Sequence, residues 1–132
     1  MSGARALALQ PERFAVCRFA PEDPLPAWVF HAGATTWSLT RTPRELSLVC
    51  PEADLPPSVE RAEPGWRALE VEGPIPFDET GVLAGLTAPL AAAGIPVFAL
   101  STFNTDLLLV LERDLERAAA ALAAAGHEVR RP

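Results

Sequence analysis

The apolar and polar positions follow two different patterns along the chain. In the second half they are regular. Trp66–Gly73 (WRALEVEG) alternates, with Trp66, Ala68, Leu69 and Val71 fitting a strand. Asp78-Glu79-Thr80 is a helix start signal ahead of the apolar run GVLAGLTAPLAAAG, which Gly94 closes. Pro89 lies inside that run and predicts a bend, because an interior proline removes one helical hydrogen bond. Pro96–Leu100 and Leu107–Leu111 read as buried strands on either side of the polar segment Ser101–Asp106 (STFNTD). Arg113–Ala125 is an alanine-rich helix closed by Gly126, and His127–Arg130 fits a last strand. The resulting order, βαββαβ, predicts an α+β ferredoxin-like unit: a four-stranded antiparallel sheet with two helices on one face.

The first half is broken up. Nine of the fourteen prolines fall before residue 65, which excludes long helices there. Arg5–Leu9, Arg13–Arg18, Thr36–Arg41 and Glu45–Cys50 read as strands, the last two joined as a hairpin through Thr42-Pro43-Arg44. Residues 21–34 hold at most a turn or two of helix, and 51–65 read as a proline-stiffened connector with one helical turn. This is a reduced copy of the second-half pattern. It implies an internal duplication, with units at 1–63 and 64–132.

Composition removes several function classes. The 132 residues carry a formal charge of −6, and all eleven basic residues are arginine, without a basic block. That excludes the electrostatic footprint of a nucleic-acid or anionic-membrane binder. Cys17 and Cys50 sit in short apolar runs and read as reduced core thiols; with His31 and His127 they match no zinc spacing. No signal-peptide run or apolar segment of membrane length is present, so a cytoplasmic protein is expected.

The polar positions leave two readings open. Asp78 and Glu79 either complement the start of the helix or stand beside free amides that Gly81 opens to an anionic group. Asp106 is either a hairpin residue or an acid for a cationic ligand. No nucleophile–base set, phosphate loop or cofactor motif is present, so no enzyme and no cofactor is expected.

Gly73–Leu111 resembles the ligand-proximal part of ACT domains, small amino-acid-sensing regulatory modules. The motifs SLTRTP, FDETGV and STFNTD are similar to the tandem-ACT type of the animal cytosolic arginine sensors and their short bacterial relatives. The likeness runs in order from about residue 5 to Leu115. It implies two tandem ACT units, the first with reduced helices, and an amino acid held at an interface between ACT units. It further implies that the loop with Asp78, Glu79, Gly81 and Val82 holds the ligand's backbone part. Thr102, Phe103 and Asp106 surround its side chain, the aspartate pairing with a guanidinium. The animal sensors carry two copies of a unit this size, so a homodimer with two equivalent sites is expected. The alternative is a protein-interaction module with a vestigial pocket.

Overall fold

The computed structural model describes residues 3–30 and 36–132; His31 lies outside them. The chain divides into two compact units, Glu12–Trp66 and Met1–Pro11 with Arg67–Pro132. Against the expected units 1–63 and 64–132, the boundary here follows Trp66 and residues 1–11 join the second unit. Strands β1 (Ala6–Phe19) and β4 (Ala62–Val71) each contribute residues to both units.

In the unit Glu12–Trp66, β2 (Ser38–Arg41) pairs antiparallel with β3 (Leu46–Pro51), and β3 pairs antiparallel with β1 from Phe14↔Pro51 to Phe19↔Leu46. The Arg18 N–H donates to the Arg61 carbonyl (3.0 Å) on the other side of β1, giving the ferredoxin-like order β2-β3-β1-β4. Short 3-10 turns, Ala27–Phe30 and Glu52–Asp54, stand where a full unit carries helices. The core gathers Ala15, Cys17, Val29, Leu48 and Cys50. Cys17 faces Leu48 and Cys50 faces Ala15, so the thiols are diagonal neighbours on one face of the sheet.

Both thiols are free and buried. The hydrogen bond to Cys17, followed by burial, pushes the Cys50 thiol far above its ordinary range. The same bond lowers the Cys17 thiol, so what keeps both sulfurs from a reagent is their burial. Ellman's reagent should therefore label neither cysteine in the native protein and both in guanidinium. Labelling at the same rate in both conditions would show that this core opens freely.

In the unit of residues 1–11 and 67–132, β5 (Phe98–Ser101) and β6 (Asp106–Leu111) form an antiparallel hairpin, and the strand order is β7-β1-β4-β6-β5. The expected four-stranded antiparallel sheet is thus enlarged. The start of β1 lies between β4 and β7 (Glu128–Arg130), and β7 pairs with it in parallel, Ala6↔Glu128 to Ala8↔Arg130. Arg5–Leu9 and Arg13–Arg18 are also one strand, not two. Pro11 falls between the residues paired to β7 and those paired to β3, where a missing N–H breaks no ladder on that side.

Helix α1 (Val82–Ala92) buries Val82, Leu86 and Leu90, spaced by four, and α2 (Leu115–Ala124) buries Leu115, Ala118 and Leu122. All six join Leu7, Leu69, Val71, Leu108 and Val110 in one core. No acid lies in the first turn of α1. Asp78 and Glu79 instead occupy the turn before it, which overturns the helix-capping reading of those two residues. Gly81, at φ 81°, redirects the chain between turn and helix, a conformation that side chains rarely permit.

The helix continues through Pro89. A residue with an N–H there would donate to the Gly85 carbonyl four positions back. That carbonyl is met instead by His127 Nε2, at 3.1 Å. His127 Nδ1 accepts the Arg5 main-chain N–H at 3.0 Å. Nδ1 therefore carries no proton and Nε2 does, so a neutral imidazole donates into the gap that Pro89 leaves.

Candidate functional site

The site residues come from two loops of the unit 1–11 and 67–132. The first follows β4, where residues 73–81 lead into α1. The second is the hairpin connection of β5 and β6, which closes with the pair Ser101↔Asp106.

The hairpin is held internally. The Thr102 N–H donates to the Thr105 carbonyl (2.8 Å), and the Thr105 N–H returns to the Thr102 hydroxyl (3.2 Å). These bonds form a side-chain-supported turn of the kind serine and threonine favour. The first loop is then fastened to it. The Ile75 N–H donates to the Asn104 carbonyl (2.7 Å), and the Thr105 hydroxyl donates to the Val71 carbonyl. Gly73 permits this approach. A Cβ there would stand 2.9 Å from the Asn104 oxygen and 3.1 Å from the Ile75 nitrogen, both backbone atoms that cannot swing aside.

Between the loops lies a cavity of about 390 Å³, near the lower end of the roughly 300–1,000 Å³ usual for small-ligand sites. Glu79, Gly81 and Val82 line one side; Thr102, Phe103 and Asp106 line the other. Six of the seven residues singled out in the sequence thus share one cavity. Asp78 is the exception: it is exposed and lies outside the lining.

Two carboxylates face this space. Asp106 is half-buried and accepts the Ser101 hydroxyl at 2.6 Å on Oδ1. A carboxylate has about four acceptor positions, so this bond leaves capacity for a ligand donor. Glu79 is also half-buried and forms an ion pair with Arg5. The N-cap residue of α1 is Gly81, which has no side chain to cap the helix, and Gly81 and Val82 bring that helix end to the cavity wall. The combination of main-chain donors with two acids suits a molecule carrying both an anionic and a cationic group.

The unit Glu12–Trp66 repeats the hairpin with different chemistry. The pair Arg41↔Leu46 closes it, and the Thr42 N–H donates to the Glu45 carbonyl (2.9 Å) as Thr102 does to Thr105. Arg41 stands in the place of Ser101, and its guanidinium donates to the carbonyls of Pro21 and Asp23. Leu46, wholly buried, replaces the acid. This copy holds a guanidinium of its own and lacks the carboxylate that would attract another.

Three contributors escaped sequence reasoning: Arg5, Gly73 and Phe77. Matching the hairpins on Thr42 and Thr102 would have exposed the exchange of Ser101 for Arg41. Nothing local pointed to Arg5, which lies 74 residues from its partner.

Comparison with known proteins places this geometry. The solved structure of protein Atu0741 from Agobacterium tumefaciens matches with a TM-score of 0.90 and 37% identity, over 99% of this chain and 96% of that one. The family model for ACT domains matches residues 61–124, and a second model, for an N-terminal domain, matches 12–58. The chain carries an ACT domain at residues 61–124.

The ACT fold is shared more widely. The ligand-free regulatory subunit of aspartate kinase from Thermus thermophilus matches with a TM-score of 0.67 at 16% identity, over 94% of this chain and 99% of that one. Among curated relatives, human CASTOR3P is 37% identical over 91 residues, or 60% of this chain and 56% of its own length. The human cytosolic arginine sensor for mTORC1 subunit 1 is 48% identical over 48 residues, 36% of this chain and 15% of the sensor. The ACT chain described here therefore spans little more than half of the first relative and a smaller part of the second.

Proposed function

We propose that this chain is a non-enzymatic regulatory module that binds a free amino acid, with arginine the favoured ligand. The convergence of Glu79 and Asp106 on one cavity, beside the start of α1, carries this reading. The helix end faces the ligand's carboxylate, Glu79 its ammonium and Asp106 its guanidinium. A guanidinium bound by a carboxylate gains two parallel, charge-assisted hydrogen bonds. The partial likeness to a protein named for arginine sensing points the same way. In this reading the site lies where ACT units of two copies meet in a homodimer, and the ligand regulates by favouring one arrangement of the copies.

Thermal unfolding of the full chain against each of the twenty amino acids tests the proposal. A ligand present at about 100 times its Kd stabilises the protein by about 2.7 kcal/mol, and arginine should give the largest upward shift. If no amino acid moves the transition, the sensor reading fails.

Two observations favour a second reading. Glu79 already has a partner in Arg5, and Phe77 and Phe103 stand exposed beside the cavity, as in a protein-interaction module with a vestigial pocket. That reading predicts no response to any amino acid and a partner protein whose capture survives Asp106→Ala.

No helix among the described residues is long and apolar enough to cross a membrane. The module is read as cytoplasmic.

A further inference from the structure

Phe77 and Phe103 have no part in either core cluster, yet they touch each other. Their ring centroids are 4.9 Å apart and their planes stand at 89°, an edge-to-face pair. Both line the cavity, and they are 77% and 78% exposed. They come from different loops, Phe77 from the segment after β4 and Phe103 from the tip of the β5–β6 hairpin. The Ile75–Asn104 hydrogen bond, close to both, holds those loops together. The fold therefore keeps two large apolar rings in water at the mouth of a cavity walled by two carboxylates.

We infer that this pair is an aromatic clamp that selects the planar cation of the ligand, a refinement that rests on the amino-acid-binding reading above. In an edge-to-face pair the ring giving its edge keeps both faces free. A ring face carries negative quadrupole charge and attracts a cation within about 6 Å. A guanidinium between Asp106 and such a face is bound in its plane by the carboxylate and covered on its flat side by the ring. An ammonium is more strongly hydrated and has no flat side, so it gains less from the same surroundings. The acids alone favour positive charge; the rings add preference for arginine over lysine.

The test is calorimetric titration of the full chain with L-arginine and L-lysine, for the native protein and for Phe77→Leu and Phe77→Trp. Leucine keeps apolar bulk without the ring, and tryptophan offers the strongest ring face. Because Phe77 is exposed, both variants should melt within a few degrees of the native protein. A second pair, Phe103→Leu and Phe103→Trp, serves if either variant fails to fold.

The expected result is arginine binding about tenfold weaker in the leucine variant and at least native-like in the tryptophan variant, with lysine affinity little changed by either. Equal arginine affinity in the native and leucine proteins overturns the clamp and leaves the sensor reading standing. So does a native protein that binds only neutral or acidic amino acids. A native protein that binds no amino acid overturns both.

Discussion

Replacing Asp106 by alanine should weaken arginine binding by about 30- to 150-fold and leave the free protein folded. The two effects separate because Asp106 has a small role in the fold and a large one toward the ligand. In the free protein its carboxylate accepts one hydrogen bond, from Ser101, at the end of a hairpin. Losing that bond costs about 0.5–1.5 kcal/mol. In the bound state the same deletion strands a guanidinium against a wall without its counter-charge. Truncating one partner of a desolvated charge pair costs about 2–5 kcal/mol. Asp106 is half-buried, so the lower part of that range applies, about 2–3 kcal/mol. Titration of the variant beside the native protein reads the ratio directly. Asp106→Asn should fall between the two, because the amide still accepts a hydrogen bond and loses only the charge. If all three bind equally, the ligand's cation lies elsewhere and Glu79 becomes the acid that reads it.

Much of this site was legible in the sequence because each loop is short and chemically distinctive. FDETG and STFNTD each place an acid beside an apolar element, and six of the seven named residues meet at one cavity. Asp78 does not, for a reason visible only in three dimensions. Gly81 at positive φ starts α1 later than its acids suggest, and the turn before it brings Glu79, not Asp78, to the cavity wall. The fold shows the same division. The βαββαβ order followed from local periodicity and punctuation, and its strands and helices lie close to the predicted ranges. The insertion of β1 between β4 and β7 did not follow. Strand pairing between residue 6 and residue 128 leaves no local trace, because alternation records which face is buried and not which neighbour buries it.

Unit boundaries escaped for a related cause. Proline density marks where helices cannot form and is silent on a strand that serves both units, as β1 and β4 do. The duplication itself was visible, but the difference in chemistry between the copies was not. Arg41 and Ser101 occupy matching places in two hairpins of the same length, and only the contacts of the Arg41 guanidinium show that one copy fills its position from within.

His127→Ala should destabilise the chain by about 2–3 kcal/mol, and by about 1 kcal/mol less when Pro89 is also replaced by alanine. His127 bonds two main-chain groups, the Gly85 carbonyl and the Arg5 N–H. Removing the ring takes that bond from both in partly buried positions, at about 1–3 kcal/mol for each buried group. For a chain of this size the total corresponds to a fall of roughly 8–15 °C in Tm. The Gly85 carbonyl needs an outside donor only because Pro89 has no N–H to offer. In Pro89→Ala the new amide supplies the ordinary helical bond, so the Gly85 oxygen stays satisfied when His127 is lost. The two substitutions should then be non-additive by about 1 kcal/mol, the value of one hydrogen bond, in a double-mutant cycle measured by chemical unfolding. Additivity within about 0.3 kcal/mol would mean that His127 acts through Arg5 alone. The consequence reaches the site, because the Arg5 amide is fixed by His127 while its guanidinium pairs with Glu79. His127→Ala should therefore also loosen the acid proposed to bind the ligand's ammonium, whereas Pro89→Ala, which leaves the bond to Arg5 intact, should not.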